Sequence, residues 1–315
     1  MSGLRAYVGI TDYDWYRYLS ARSDLEEVNF WKPGGETAFR ALEPGGLFLF
    51  KLHAPRDFIV GGGYFAHYSA IPASLAWEAF LTNNGAQTFE EMKARIGAYR
   101  REGTGPFDDP TIGCILLEEP FFFAEADWIP VPADWKPQTQ QGKRYDLTQG
   151  LGRSLWEALQ IRLSARAIPV LAAAGDLRER AGPAYGAPTL TRPRLGQGTF
   201  RVVVTDSYDR RCAVTGERTL LVLQAAHIKP FSLVKTHDPR NGLLLRSDIH
   251  TLFDKGYVTV TPDHHFEVSR RLKEDWENGR DYYSRHGQLI RMPTDPSLHP
   301  DPVHLQWHAD TVFLG

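Results

Sequence analysis

Residues 182 to 198 read GPAYGAPTLTRPRLGQG, and no other stretch constrains the fold of this chain as strongly. Its three prolines lack the backbone N–H and its four glycines lack a Cβ, so neither a helix nor an interior strand is sustained across it. A break there leaves two segments long enough for separate cores, since a domain usually holds about 100 to 200 residues. The expected organisation is therefore a first domain over residues 1–140, a helical connector over 141–182 and a second domain over 183–315.

The first domain reads as mixed α and β. Short apolar or aromatic runs at 4–10, 47–52, 58–65 and 112–117, bounded by Gly, Pro and Asp, predict strands. Helical spacing at 74–82 and 88–100, opened by the capping residues Ser74 and Thr88, predicts two helices. Residues 150–182 predict a helical arm interrupted at Pro169.

Charge separates the two halves. Residues 1–140 carry 12 Lys and Arg against 19 Asp and Glu, whereas 192–246 carry 10 against 4. The basic stretch suits phosphates, which dominate nucleic-acid affinity, and Arg192, Arg194, Arg201, Arg211, Lys229 and Arg240 are the candidate backbone contacts. Cys114 and Cys212 are the only cysteines, too few for a disulfide framework or a four-cysteine zinc knuckle. The start of the chain has no signal-peptide pattern and no segment reads as membrane-spanning, so a cytoplasmic protein is expected.

The chemistry concentrates in LVLQAAHIKPFSLVKTHDPRNGLLLRSDIHTLFDKGYVTV, residues 221–260. A strand over 221–225 places His227 at its end, and a helix over 247–255, capped by Ser247, carries His250 and Asp254 four positions apart on one face. Such a pair can hold one divalent cation. Asp254 can equally be a surface carboxylate paired with Lys255 or Arg246, Asp248 belongs to an acidic first turn, and His264 and His265 read as surface residues.

These residues resemble the HNH (ββα-metal) nuclease family, through AHI-x-P, NGLLL and DIHxLFD. The resemblance implies catalytic roles for His227, Asn241 and His250. His227 would be the general base, Asn241 the residue that orients it, and His250 with Asp254 the ligands of Mg²⁺ or Mn²⁺. Ala226 stands where many members place a further ligand, and Thr215 stands where a zinc knuckle would need a second cysteine, so no structural zinc is expected.

In the first half, VNFWKPGG followed by FRALEPGGLFLFKLHAPRDFIVGGGYF resembles the PUA-like superfamily, with its EVE, ASCH and YTH groups. The whole is thus expected to be α+β: a PUA-like small β-barrel with helices, a helical connector and a ββα-metal HNH domain. The resemblance implies a pocket for a flipped, modified base, with Trp15, Asn29, Trp31, Tyr64 and Trp77 as candidates. Trp31 is read as lying in a loop, and Asp12 as a further partner for a base edge. The combination resembles modification-dependent restriction endonucleases. It implies double-stranded DNA as partner and modified cytosine as the mark read; since one HNH site cuts one strand, an efficient double-strand break points to a homodimer, with the 150–182 arm as its interface. The alternatives are a first domain that reads RNA or unmodified DNA, or a degenerate site that binds without cutting.

Overall fold

The computed structural model describes residues 4–100, 105, 108–173 and 195–315. Two compact units, Met1–Pro193 and Arg194–Gly315, make up the chain. Most of the Pro/Gly stretch, with Arg192 and Arg194, lies outside the described residues, as does the end of the predicted helical arm.

The architecture is mixed α+β. In the first unit, β1 (Arg5–Thr11), β2 (Glu27–Lys32), β3 (Leu47–Leu52), β4 (Phe58–Pro72), β5 (Thr111–Phe122), β6 (Ile129–Pro130) and β7 (Gly142–Asp146) form one sheet. Its path runs β2-β5-β4-β3-β1-β7, with β6 beside β4. Every neighbour along that path is antiparallel except β1 and β3, which are parallel. Helices α1 (Tyr13–Ser20), α2 (Ala73–Phe80), α3 (Phe89–Tyr99) and α4 (Gly150–Ala173) accompany it.

The sheet is strongly curled. Three strand spacings of about 4.8 Å would hold β2 about 14 Å from β3 in a flat sheet. Yet Phe30 on β2 and Phe48 on β3 bring their ring centroids to 4.7 Å. The bend is built into β4, whose pairing with β5 shifts register at Gly62/Tyr64 and again at Phe65/His67, and such bulges bend and twist a strand. Gly61 and Gly62 permit the close approach, because a Cβ there would lie 2.2 Å from the Phe121 carbonyl oxygen and 2.6 Å from that of Phe48. The concave side holds an aromatic core of Trp15, Phe30, Phe48, Phe50, Phe65 and Phe122. The other face is covered by Leu155 and Leu159 of α4, packed on Ala6, Val8, Leu47, Leu49 and Ile59. Among the described residues β2 and β7 do not pair, so the barrel-like sheet stays open.

Three local expectations change. Residues 142–146 pair with β1, so the start of the predicted connector is part of the first sheet. Helix α4 runs on to Ala173, since a proline removes one hydrogen bond and can be carried inside a helix without ending it. Ser74 does not cap α2, which begins at Ala73; its N–H and hydroxyl instead donate to the Asp109 carboxylate at 2.9 and 2.5 Å. Thr88 caps α3 as its position predicts, accepting from the Glu91 N–H.

The second unit begins with α5 (Gln197–Ser207). It continues through β8 (Leu223–His227), α6 (Phe231–Val234), β9 (Gly242–Arg246), α7 (Ser247–Asp254), β10 (Val258–Val260) and β11 (Phe266–Val268) to α8 (Arg271–Trp276), α9 (Arg280–Tyr283) and α10 (Pro302–Thr311). β8 pairs antiparallel with β9, and Ile249 and Phe253 of α7 pack into the same core as Phe200, Leu243 and Leu244. Two strands and one helix therefore frame a single site.

Candidate active site

β8 ends at His227, which lies opposite Gly242 in the β8–β9 ladder. The imidazole stacks on Phe200 of α5, centroids 4.1 Å apart and planes 12° from parallel. Gly242 makes room for this arrangement: a Cβ there would meet Val204 Cγ2 at 2.5 Å and Phe200 Cζ at 3.0 Å. Burial, reinforced by His237 and His250, pulls the His227 pKa down from 6.5 to about 4. At neutral pH its ring is uncharged and keeps a lone pair.

Asn241 is buried, and its amide closes a reciprocal pair with the Lys229 backbone. Its Nδ2 donates to the Lys229 carbonyl at 2.8 Å, and its Oδ1 accepts from the Lys229 N–H at 2.9 Å. The Ile228 N–H donates to the Asn241 carbonyl at 2.9 Å. Both strands leaving the site are thus tied together immediately after His227.

On α7, His250 Nε2 and Asp254 Oδ2 stand 3.4 Å apart. Gln224 Oε1 on β8 accepts from His250 Nδ1 at 2.7 Å, so Nδ1 is engaged on β8 and Nε2 is the ring nitrogen left facing Asp254. An outer hydrogen bond of this kind typically orients a metal-ligating histidine. Among the described residues no group of three or more His, Cys, Asp and Glu is placed to hold a metal ion. The donor set fits Mg²⁺ or Mn²⁺ nonetheless, because such ions keep several waters and accept a carboxylate with few other protein ligands.

Arg246 does not pair with Asp254. It forms a two-pronged bridge to Asp248, both contacts at 2.7 Å, and Tyr282 donates to the same carboxylate at 2.9 Å. The Arg246 hydrogen bonds lead among the causes that hold the Asp248 carboxyl down at about 2. Ser247 is the first helical residue, with Arg246 at the cap position. His264 and His265 are half-buried in the turn between β10 and β11, where the hydrogen bonds of that turn hold the chain against Gln288 to Ile290.

Of the candidate phosphate contacts, Arg201 lies on α5 and Arg211 follows it, both half-buried. Lys229 lies over the Trp307 ring at 5.3 Å, and Arg240 bridges Asp301 at 2.8 Å. Cys212 Sγ, in the turn where Thr215 stands in place of a second cysteine, accepts N–H bonds from Thr215 and Arg246 at 3.4 and 3.3 Å.

The concave side of the first unit opens into a cavity of about 490 Å³, lined among others by Asp12, Trp15, Trp31, Lys32, His53 and Tyr99. Trp31 is in β2, not in a loop, and its indole N–H donates to the Asn84 carbonyl at 3.0 Å. Asp12 accepts from the Tyr99 hydroxyl at 2.5 Å; burial and then this bond raise the Tyr99 pKa. Three candidates fall outside the lining. Asn29 is fully buried, donating to Asn84 Oδ1 at 2.9 Å and to Cys114 Sγ at 3.3 Å. Tyr64 packs with the α4-covered face, and Trp77 packs against Phe89. Sequence reasoning missed Gln224, whose role arises only when β8 is laid beside α7. It likewise missed Lys32, His53 and Tyr99, which β2, the loop after β3 and α3 bring to the cavity.

Residues 212–261 match the model of the HNH endonuclease family. No curated protein matches the chain. Among solved structures, a mutant ASCH protein from Zymomonas mobilis is similar at 9% identity and a TM-score of 0.32, over 48% of this chain and 96% of its own. The modification-dependent restriction endonuclease TagI is similar at 13% identity and a TM-score of 0.26, over 92% of this chain and 77% of its own. At such TM-scores neither likeness fixes a fold.

Proposed function

We propose that this chain is a divalent-metal-dependent DNA endonuclease, in which the second unit hydrolyses the phosphodiester and the first selects modified cytosine by holding a flipped base. The observation that carries the nuclease reading is the match of residues 212–261 to the HNH endonuclease family, and it is supported by His227 at the end of β8, near enough to His250 for that residue to lower its pKa, and by the 3.4 Å approach of His250 to Asp254. His227 takes the proton of the attacking water, which requires a neutral imidazole at working pH. Asn241 holds the backbone that follows His227, so the base does not drift from the reacting phosphorus. His250 and Asp254 would hold Mg²⁺ or Mn²⁺, which supplies charge stabilisation at the phosphoryl oxygens and the departing 3′ oxygen. Lys229, Arg201, Arg211 and Arg240 supply the basic surface toward the DNA backbone.

The base-selecting role rests on the cavity. Its volume falls in the range of small-ligand sites, about 300 to 1,000 Å³, and it combines Trp31 with the polar groups of Asp12 and Lys32. A base taken out of the duplex is read by stacking and by edge hydrogen bonds. Efficient double-strand cleavage by single-strand sites further favours a homodimer on DNA. Cleavage of one DNA sequence in unmodified, 5-methylcytosine and 5-hydroxymethylcytosine forms, with Mg²⁺ or Mn²⁺, tests both parts. Metal-dependent cleavage that prefers a modified form supports the assignment. Equal cleavage of all forms removes the reader, and no cleavage of any removes the nuclease.

A further inference from the structure

His237 lies in the loop between α6 and β9, outside the three signature positions, yet it meets the proposed base directly. Its Nδ1 is 3.2 Å from His227 Nε2. Its ring stacks on Phe231, with centroids 4.2 Å apart and planes 10° from parallel, while His227 stacks on Phe200. The two imidazoles are therefore each pinned by an aromatic face, with their facing nitrogens in hydrogen-bond reach. One of the two must donate and the other accept.

Building on the nuclease reading, we infer that His237 is a positioning residue that accepts the His227 Nε2–H and thereby sets His227 in the tautomer whose lone pair is on Nδ1. The opposite arrangement, with His237 donating, would occupy the Nε2 lone pair and place a proton on Nδ1, leaving no basic nitrogen for water. In the assigned tautomer the water proton goes to Nδ1, the Nε2–H stays in place, and the resulting imidazolium keeps a neutral acceptor beside it. The second nitrogen of a histidine base commonly needs such a partner, because the hydrogen bond made by one ring nitrogen decides what the other can do.

Two variants and a spectroscopic measurement on the full chain test this. His237→Phe keeps a ring over Phe231 and removes the acceptor; His237→Asn places Oδ1 near the position of the lost Nδ1. The expected result is a fall in kcat of about tenfold to a hundredfold for His237→Phe with KM for DNA unchanged, and recovery of most of it in His237→Asn. Nitrogen NMR of histidine-labelled protein, without DNA or metal, should show His227 protonated on Nε2 in the unaltered chain and in His237→Asn, and a loss of that preference in His237→Phe. His227 protonated on Nδ1 in the unaltered chain overturns the inference, as does an unchanged kcat in His237→Phe. Since the NMR reads the tautomer whether or not DNA is cut, an inactive wild-type chain would refute the nuclease reading without deciding this one.

Discussion

Acidification should loosen the second unit through one buried histidine on α10. His308 is 2% exposed. Its ring stacks on Phe253, centroids 3.6 Å apart, its Nε2 is 3.1 Å from the Phe253 carbonyl, and its Nδ1 is 2.9 Å from Thr259 Oγ1. A carbonyl only accepts, so Nε2 carries the proton and Nδ1 accepts from the Thr259 hydroxyl. A second proton would replace that acceptor by a donor in a dry site, and burial accordingly pulls the pKa from 6.5 to about 4. Between these values the unfolded chain binds the proton and the folded chain does not, so stability is present at neutral pH and lost as pH falls. At about 1.36 kcal/mol per pH unit the whole effect is about 3 kcal/mol, of which about 2 kcal/mol is lost by pH 4.5. The perturbation is His308→Gln, which offers a donor and an acceptor but does not titrate. Guanidinium unfolding at pH 7 and pH 4.5 is followed by hydrogen exchange in peptides from Pro302–Thr311, so that only this unit is read. The stability gap between wild type and variant should narrow by about 2 kcal/mol on acidification. A gap that stays constant refutes the reasoning.

Gln224→Leu removes the acceptor that orients His250, and Mn²⁺ affinity measured without DNA should fall about 10- to 100-fold; unchanged affinity would place the ligand elsewhere. Gly242→Ala inserts a methyl against Val204 and Phe200, and should cost about 1 to 3 kcal/mol of stability, read by denaturant midpoint. Trp31→Ala should cost about 1 to 3 kcal/mol of modified-DNA affinity with cleavage chemistry retained; equal affinity for the two proteins would exclude stacking on this ring.

The second-unit site was legible because its signal is local. His250 and Asp254 share a face by helical spacing alone, and the NGLLL run that precedes them forms β9 beside β8. The strand at 47–52 was equally plain, since LFLFKL is buried on both faces. β2 escaped because Asn29 and Lys32 make EVNFWK look like a loop, whereas the Asn29 Nδ2 finds its acceptor inside the fold on Asn84, 55 residues away. Helix α5 escaped because it starts inside the Pro/Gly stretch, where Gly196 serves as its cap. The base-pocket candidates divided according to the curl of the sheet: Trp15 and Trp31 reach the cavity, while Tyr64 lies with the α4-covered face. Neither Gln224 nor His308 has any local signal, for each acts across a contact that exists only after the second unit has packed.

The central claim is that His227 performs base catalysis at a metal site, and the direct measurement is cleavage of 5-hydroxymethylcytosine DNA across one Mn²⁺ titration, by wild type and by His227→Ala, with DNA binding followed in parallel. Cleavage by wild type should rise to saturation with metal, and His227→Ala should lose at least about 100-fold in rate while binding DNA as tightly. Cleavage independent of metal, or a His227→Ala protein that cuts at the wild-type rate, would contradict the account.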